Sequence, residues 1–176
     1  MNKRKDFQKS IRGQEEEMIS NSPFAPLHLV LADDDTDDRS LFNEALNEIP
    51  VSINITTVHD GEQLMTLLNR DHEPLPQVIF LDLNMPFKNG FECLTEIKLD
   101  ERLKSIPVII FSTSFQKEVV KLLYMKGAQY YICKPDEYHQ LKKVIANALM
   151  SILKTPIASQ PPPEKFVLSC KQFWKE

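Results

Sequence analysis

Residues 78–90 read VIFLDLNMPFKNG, an apolar run that stops at a carboxylate and is followed by a turn. Four consecutive apolar residues, rich in β-branched and aromatic types, predict a strand that is buried on both faces of a parallel sheet. Pro86 prevents the strand from continuing, and Asn89 with Gly90 predicts a turn before the next helix. Asp82 is therefore expected at the carboxyl end of a central strand, where open α/β sheets bind their ligands.

The rest of the chain alternates between strand and helix patterns on both sides of this stretch. Strands are predicted at residues 27–32, 51–58, 78–81, 107–111 and 128–133. Helices are predicted at residues 36–48, 61–70, 90–98, 115–126 and 136–153. The first helix is expected to be capped by Thr36 or Asp35 and to bury a stripe of Leu41, Phe42, Ala45, Leu46 and Ile49. This alternation predicts a doubly wound α/β domain with a parallel sheet over residues 27–153.

Two further segments flank the predicted domain. Residues 1–26 are polar and charged, which predicts a flexible N-terminal arm. Residues 154–176 begin as a Pro-rich linker and continue into an apolar tail, Phe166 to Trp174, which we expect to pack on the domain or on a partner. These 23 residues are too few to build a DNA-binding unit with its own core, so output by protein contact is expected.

Composition and charge limit the function classes. The net charge of −4 gives no general electrostatic case for nucleic-acid binding. The sequence contains no apolar run of membrane-spanning length and no signal-peptide pattern. The three cysteines have no close spacing, which predicts neither a disulfide framework nor a cysteine metal site. We therefore expect a cytoplasmic protein without a nucleic-acid or membrane partner.

Polar side chains with related chemistry follow four of the predicted strands. They are Asp33 and Asp34 after the first strand, Asp82 after the third, Ser112 after the fourth and Lys134 after the fifth. Three carboxylates at one sheet edge repel one another unless a cation neutralises them, and Mg²⁺ suits an oxygen-ligand site that keeps several waters. A lysine and a hydroxyl beside them suit the oxygens of a phosphoryl group. The set predicts a phosphoryl acceptor in which Asp82 is the nucleophile.

The order and position of these motifs resemble a known family. The motifs are Asp33-Asp34, Asp82-Leu83-Asn84-Met85-Pro86 with Gly90, Ser112-Thr113 and Lys134-Pro135. Over residues 27–153 the chain resembles the receiver domain of two-component response regulators, in the form of a stand-alone, CheY-like regulator. The resemblance implies a flavodoxin-like fold with strand order 2-1-3-4-5.

The resemblance also implies a role for each acid. Asp82 would accept a phosphoryl group from a sensor histidine kinase or a histidine phosphotransfer protein. Asp34 and Asp82 would bind Mg²⁺ directly, together with the backbone carbonyl of Asn84. Asp33 would act mainly through a metal-bound water. The protein would not be an enzyme beyond its own phosphorylation and dephosphorylation.

The switch and the output surface follow from the same resemblance. Ser112 and Lys134 would contact the phosphoryl oxygens, and Tyr131 would be the aromatic residue that turns inward on activation, although packing alone also explains an aromatic residue in a strand. The fourth helix, fifth strand and fifth helix would form the face that binds a downstream protein target, and a homodimer is left open. The alternative is a phosphorelay intermediate that passes its phosphoryl group to a downstream histidine.

The chain departs from the family pattern at Thr113 and Asp136, and its extra acids Asp35, Asp37 and Asp38 resemble a variant of small stand-alone receivers. Thr113 stands where the family often has a small alanine, and we expect it to narrow access to the phosphoryl group. Asp136 replaces a common apolar residue and adds negative charge near the switch face. Neither change removes a required group.

Three other kinds of site fit the sequence less well. A flavodoxin-like electron carrier needs a phosphate-binding loop after the first strand, where residues 33–38 hold five acids and one threonine. An aspartate-based phosphatase needs a second acid at position 84, which is Asn84. A calcium loop counted from Asp33 needs glycine at its sixth position, which is Asp38.

Overall fold

The computed structural model describes residues 26–154 and 159–168. The strands are β1 Leu27–Ala32, β2 Ile53–Val58, β3 Val78–Leu81, β4 Val108–Ser112 and β5 Tyr130–Cys133. The helices are α1 Thr36–Asn47, α2 Gly61–Leu68, α3 Gly90–Leu99, α4 Lys117–Met125 and α5 Tyr138–Lys154, and a 3₁₀ turn follows at Pro163–Lys165. All ten predicted elements are present, and no end is shifted by more than two residues. The predicted N-terminal arm lies outside the described residues apart from Pro26, and the division of the chain at residues 26 and 153 stays a prediction.

The five strands form one parallel sheet in the order β2-β1-β3-β4-β5, which confirms the predicted flavodoxin-like topology. In the register, Ala32 lies beside Leu81, and Ser112 beside Cys133. Because all strands run the same way, the residues that follow Ala32, Leu81 and Ser112 emerge at one edge. In the described part of the chain, no helix has both the length and the apolarity needed to cross a bilayer.

Helices cover both faces of the sheet and close two apolar layers. One layer centres on Phe42, Phe80 and Phe111, whose rings make edge contacts with centroids 4.9–6.2 Å apart. The neighbouring residues Tyr130 and Tyr131 of β5 point into opposite layers, as the alternation along a strand requires. Tyr131 therefore lies in the layer of α2, α3 and α4.

Helix α1 shows which residue caps it, and it contradicts one prediction about burial. Asp35 is the cap, because its carboxylate accepts hydrogen bonds from the backbone N–H groups of Asp37 (2.8 Å) and Asp38 (3.0 Å). The prediction that Leu41 is buried is wrong, since it is 42% exposed while the next residue, Phe42, is fully buried. Adjacent helix positions lie about 100° apart, so a helix on a flat sheet buries a narrower stripe than we predicted.

Gly90 allows the loop after β3 to fold back against that strand. A Cβ atom at this position would overlap the carbonyl oxygen of Asp82 and lie 2.9 Å from the Cα atom of Leu83. The backbone N–H of Gly90 also donates to the carbonyl of Leu83, at 3.0 Å. Only glycine therefore leaves the backbone of Asp82 undisturbed.

We expect Gly90→Ala to lower the free energy of unfolding by about 2–3 kcal/mol, because overpacking forces the backbone to shift. The shift would also displace Asp82 and weaken divalent-cation binding at the sheet edge. Urea unfolding and calorimetric titration with Mg²⁺ would measure the two effects. The control is Gly127→Ala, where the backbone φ of +89° makes an alanine strained but the nearest atoms are 3.6 Å away. This control should lose stability without losing Mg²⁺ affinity, and equal Mg²⁺ affinity in all three proteins would contradict the prediction.

Candidate functional site

Backbone hydrogen bonds continue beyond the strands and fix the residues at the sheet edge. The N–H of Asp82 donates to the carbonyl of Ala32 at 2.9 Å, and the N–H of Lys134 donates to the carbonyl of Ser112 at 2.9 Å. Ser112 is thus the last residue of a paired strand, and the other functional side chains are the first or second residue after one. The position of these side chains follows directly from the parallel register.

The three predicted acids come together at this edge. Asp33, Asp34 and Asp82 each offer a carboxylate oxygen, and these oxygens lie within 4.8 Å of one another. Asp33 is 1% exposed and Asp82 is 5% exposed, whereas Asp34 faces solvent. Burial raises the pKa of Asp33, although its hydrogen bond with Lys134 acts in the opposite direction. The arrangement concentrates negative charge in a partly buried corner, which a cation would relieve.

Asp82 has one engaged and one unengaged oxygen. Its Oδ2 accepts a hydrogen bond from the backbone N–H of Asn84 at 3.0 Å. Its Oδ1 is buried and has no hydrogen-bond partner among the described residues, and it lies 3.8 Å from Nζ of Lys134. A buried carboxylate oxygen without a partner is costly in a structural role, so this atom is the natural position for an incoming ligand. The contribution of the Asn84 carbonyl to a metal site stays a prediction.

Both oxygens of Asp33 are engaged by the protein itself. Its Oδ1 accepts from the backbone N–H of Asp35 at 3.0 Å, and its Oδ2 accepts from Lys134 at 2.7 Å. Each of these oxygens keeps a second lone pair, but Lys134 already balances part of the charge of Asp33. Within the acid cluster, Asp82 has a buried oxygen that accepts no hydrogen bond among the described residues, and Asp34 is the exposed acid.

Lys134 is held by two acids. Its side chain is 9% exposed, and its Nζ donates to Asp33 and to Asp38, each at 2.7 Å. Burial alone would lower the pKa of Lys134, but the hydrogen bonds with Asp33 and Asp38 outweigh burial and raise the pKa above its ordinary value. Lys134 is therefore a fixed cation within reach of the unengaged oxygen of Asp82.

The sequence interpretation did not assign two residues that shape this corner. Asp38 binds Lys134, and Arg39 donates to the backbone carbonyl of Asp33 at 2.6 Å and to the Thr36 hydroxyl at 3.0 Å. Both residues lie in the first turn of α1. The helix dipole favours an acid at this position, so Asp38 is explained without any role at the site. The sequence contains one sign of these contacts. A helix that is capped at Asp35 begins directly after β1, so its first turn lies close to Asp33.

Ser112 and Tyr131 are connected through the loop after β4. Ser112 is fully buried, and its Oγ accepts a hydrogen bond from the backbone N–H of Ser114 at 3.3 Å. Tyr131 is 1% exposed, and its hydroxyl donates to the carbonyl of Ser114. The ring of Tyr131 also contacts Phe115, with centroids 6.0 Å apart. The two predicted switch residues thus share one neighbour, Ser114, which the sequence interpretation did not identify.

The two departures from the family pattern both lie on the surface. Thr113 is exposed at the end of β4, directly after Ser112. Asp136 is exposed in the loop between Lys134 and α5. Their expected effects on access to the site and on the charge of the switch face stay predictions.

Comparisons with known proteins place this site in a family. The model of the response regulator receiver domain family matches residues 29–146. Response regulator Rcp1 of Synechocystis sp. is 31% identical over 131 residues, which cover 72% of this chain and 89% of Rcp1. The crystal structure of the phosphorylated cyanobacterial phytochrome response regulator RcpA is 34% identical with a TM-score of 0.69, and the Mn²⁺-bound form of Rcp1 is 30% identical with a TM-score of 0.68. Each of these structures is matched over its whole length and over 78% of this chain.

Proposed function

The chain belongs to the response regulator receiver domain family, whose members are phosphoacceptors of two-component signalling, and we propose that Asp82 is its phosphorylation site. The observation that carries the proposal is Asp82 Oδ1, a buried carboxylate oxygen without a hydrogen-bond partner among the described residues. It lies 3.8 Å from a lysine that is held by two neighbouring acids. A nucleophile needs such an available lone pair, and a phosphoryl group needs such a nearby cation.

The proposed transfer is a single displacement at phosphorus. An oxygen of Asp82 forms a bond to the phosphorus of a phosphohistidine while the P–N bond breaks, and the imidazole nitrogen keeps the electron pair. Negative charge is spread over the three remaining phosphoryl oxygens. We propose that Lys134 neutralises part of this charge and that the Ser112 hydroxyl donates a hydrogen bond to a phosphoryl oxygen. The chain is a signalling protein, and we propose that its chemistry is limited to its own phosphorylation and dephosphorylation.

The acid corner fits a divalent cation. Asp82 has an oxygen without a hydrogen bond among the described residues, Asp34 is exposed, and Asp33 is already paired with Lys134. We therefore propose that Asp34 and Asp82 bind the cation directly, with the Asn84 carbonyl, while Asp33 binds through a water. A ligand set made only of oxygens favours Mg²⁺ over softer metals, and the Mn²⁺-bound form of Rcp1 supports a divalent cation here. When bound, the cation neutralises charge on the phosphoryl oxygens.

We expect Asp34→Asn to weaken Mg²⁺ binding at least tenfold, because it removes one of two direct carboxylate ligands from a hard cation. Isothermal titration calorimetry would measure the dissociation constant. The matched control is Asp37→Asn, which makes the same charge change three residues away, at an exposed position outside the acid cluster. A similar loss of affinity in both variants would show that overall charge, rather than coordination, holds the cation.

Receiver domains interact with histidine kinases and with downstream targets, and we propose both classes of partner for this chain. The resemblance to a phytochrome response regulator supports a histidine kinase as the phosphoryl donor. We propose the face of α4, β5 and α5 as the output surface, with a homodimer left open. Similarity to response regulators over most of their own length supports a switch and does not favour a phosphorelay intermediate.

The direct test is incubation of the full chain with acetyl phosphate in the presence and absence of Mg²⁺, followed by intact-mass measurement. We expect the addition of one phosphoryl group that requires Mg²⁺ and is lost on treatment with hydroxylamine, as an acyl phosphate must be. A protein that stays unlabelled under these conditions would contradict the proposed function.

A further inference from the structure

The C-terminal segment, defined as residues 159–168, packs along the outer edge of β5. The N–H of Tyr131 donates to the carbonyl of Phe166 at 2.9 Å, and the N–H of Leu168 donates to the carbonyl of Tyr131 at 3.0 Å. Val167 pairs with Tyr131 in a parallel bridge. The segment thus engages both backbone groups of one residue, Tyr131, on an edge that no other strand of the described chain covers.

Side chains anchor the C-terminal segment on both sides of this bridge. Phe166 is fully buried in the same apolar layer as Tyr131, and its ring meets that of Tyr124 with centroids 5.1 Å apart. Gln160 donates to the backbone carbonyls of Tyr124 (2.8 Å) and Ala128 (2.6 Å) at the end of α4. One side chain thus contacts the last turn of α4 and the residue that precedes β5 by two positions. The segment is therefore docked by specific contacts.

Tyr131 connects the C-terminal segment to the sheet edge that carries Asp82. Its hydroxyl donates to the carbonyl of Ser114, whose N–H donates to the hydroxyl oxygen of Ser112. Lys134, three residues after Tyr131, is hydrogen-bonded through its backbone to Ser112. A continuous series of contacts thus runs from Phe166 through Tyr131 to Ser112 and Lys134, the residues proposed to contact a phosphoryl group.

We propose that docking of the C-terminal segment holds Tyr131 in its buried position, so that segment docking and phosphorylation of Asp82 favour each other. Tyr131 is 1% exposed, its backbone is fixed by the segment, and Phe166 closes the layer that contains its ring. The docked segment therefore favours the buried ring, because a ring that turns outward leaves the apolar layer that it shares with Phe166. Coupling of this kind is reciprocal, because a ligand that favours buried Tyr131 also favours the docked segment. This inference rests on the proposed function of Asp82 and Tyr131.

The first test measures the affinity of the full chain for beryllofluoride with Mg²⁺, which mimics the phosphoryl group. We expect Phe166→Ala to weaken this affinity at least fivefold, at the lower end of typical allosteric coupling. The double variant Phe166→Ala/Leu168→Pro also removes the N–H that binds Tyr131, and we expect it to weaken the affinity at least as much. The matched control is Glu164→Ala, an exposed position in the same segment, which should stay within twofold of the unsubstituted chain.

The second test is hydrogen exchange at the backbone amides of Tyr131 and Leu168, which report on docking. We expect beryllofluoride to slow their exchange in the unsubstituted chain. In the double variant only the Tyr131 amide can be followed, because proline at position 168 has no N–H. Faster exchange at this amide with unchanged or higher beryllofluoride affinity would overturn the inference, as would exchange that stays equally slow. If the unsubstituted chain binds no beryllofluoride, the proposed function fails first, and the inference fails with it.

Discussion

Replacement of Asp82 by asparagine is expected to abolish labelling by acetyl phosphate in the presence of Mg²⁺. The amide has no anionic oxygen to attack phosphorus, and the substitution removes one of the two direct carboxylate ligands proposed for the cation. Intact-mass measurement after incubation would show no added phosphoryl group. The control is Asp37→Asn, which makes the same charge change at an exposed position. This variant should be labelled like the unsubstituted protein.

Loss of folding would not explain this result, because we expect Asp82→Asn to stabilise the protein without Mg²⁺. The asparagine oxygen can still accept from the N–H of Asn84, while the variant no longer has the unpartnered carboxylate oxygen beside the buried Asp33. Removing one negative charge from a corner where Asp33, Asp34 and Asp82 share a single lysine should raise the free energy of unfolding by about 1 kcal/mol. Urea unfolding would measure the change. Labelling that persists in a folded Asp82→Asn variant would contradict the assignment.

Replacement of Lys134 by alanine is expected to cause the largest loss of stability at the site. The side chain of Lys134 is 9% exposed and that of Asp33 is 1% exposed, and their 2.7 Å contact leaves Asp33 without a cation once the lysine is removed. Breaking a buried ion pair by removing one partner costs about 3–5 kcal/mol. We expect a loss of about 3 kcal/mol in urea unfolding without Mg²⁺, since Asp38 is half-buried and partly solvated.

Magnesium should restore part of this lost stability, because a divalent cation replaces the missing positive charge among the acids. Labelling by acetyl phosphate should remain detectable in Lys134→Ala, whereas the change in partner binding on phosphorylation should be lost. The control is Lys142→Ala, which removes an exposed pair with Glu48 and should cost less than about 1 kcal/mol with no Mg²⁺ dependence. Equal stability losses in the two variants would contradict the role given to the buried lysine.

The sequence predicted those parts of the fold that depend on local pattern and on parallel register. The central strand was identified because four apolar residues precede Asp82, and its buried position agrees with this interpretation. Asp33, Asp34, Asp82 and Lys134 lie close together as expected, because each is the first or second residue after a strand, and Ser112 ends the neighbouring strand. In a parallel sheet this position alone determines the edge at which a side chain emerges.

The parts that the sequence did not predict depend on contacts between distant segments or on the orientation of a helix. The exposure of Leu41 and the contact between Asp38 and Lys134 depend on how α1 rotates about its cap. Ser114 acts through its backbone, which sequence patterns do not reveal. The bridge between Tyr131 and Val167 joins residues 36 positions apart through a Pro-rich segment with no helix or strand periodicity.

The central claim is that Asp82, rather than another acid of the same corner, carries the phosphoryl group. The most direct measurement is borohydride reduction of the acetyl phosphate-labelled protein, which converts a phosphorylated aspartate to homoserine, followed by mass spectrometry of its peptides. We predict homoserine at position 82 alone, and only when Mg²⁺ was present during labelling. Homoserine at position 33 or 34, or a label that resists reduction, would contradict the account.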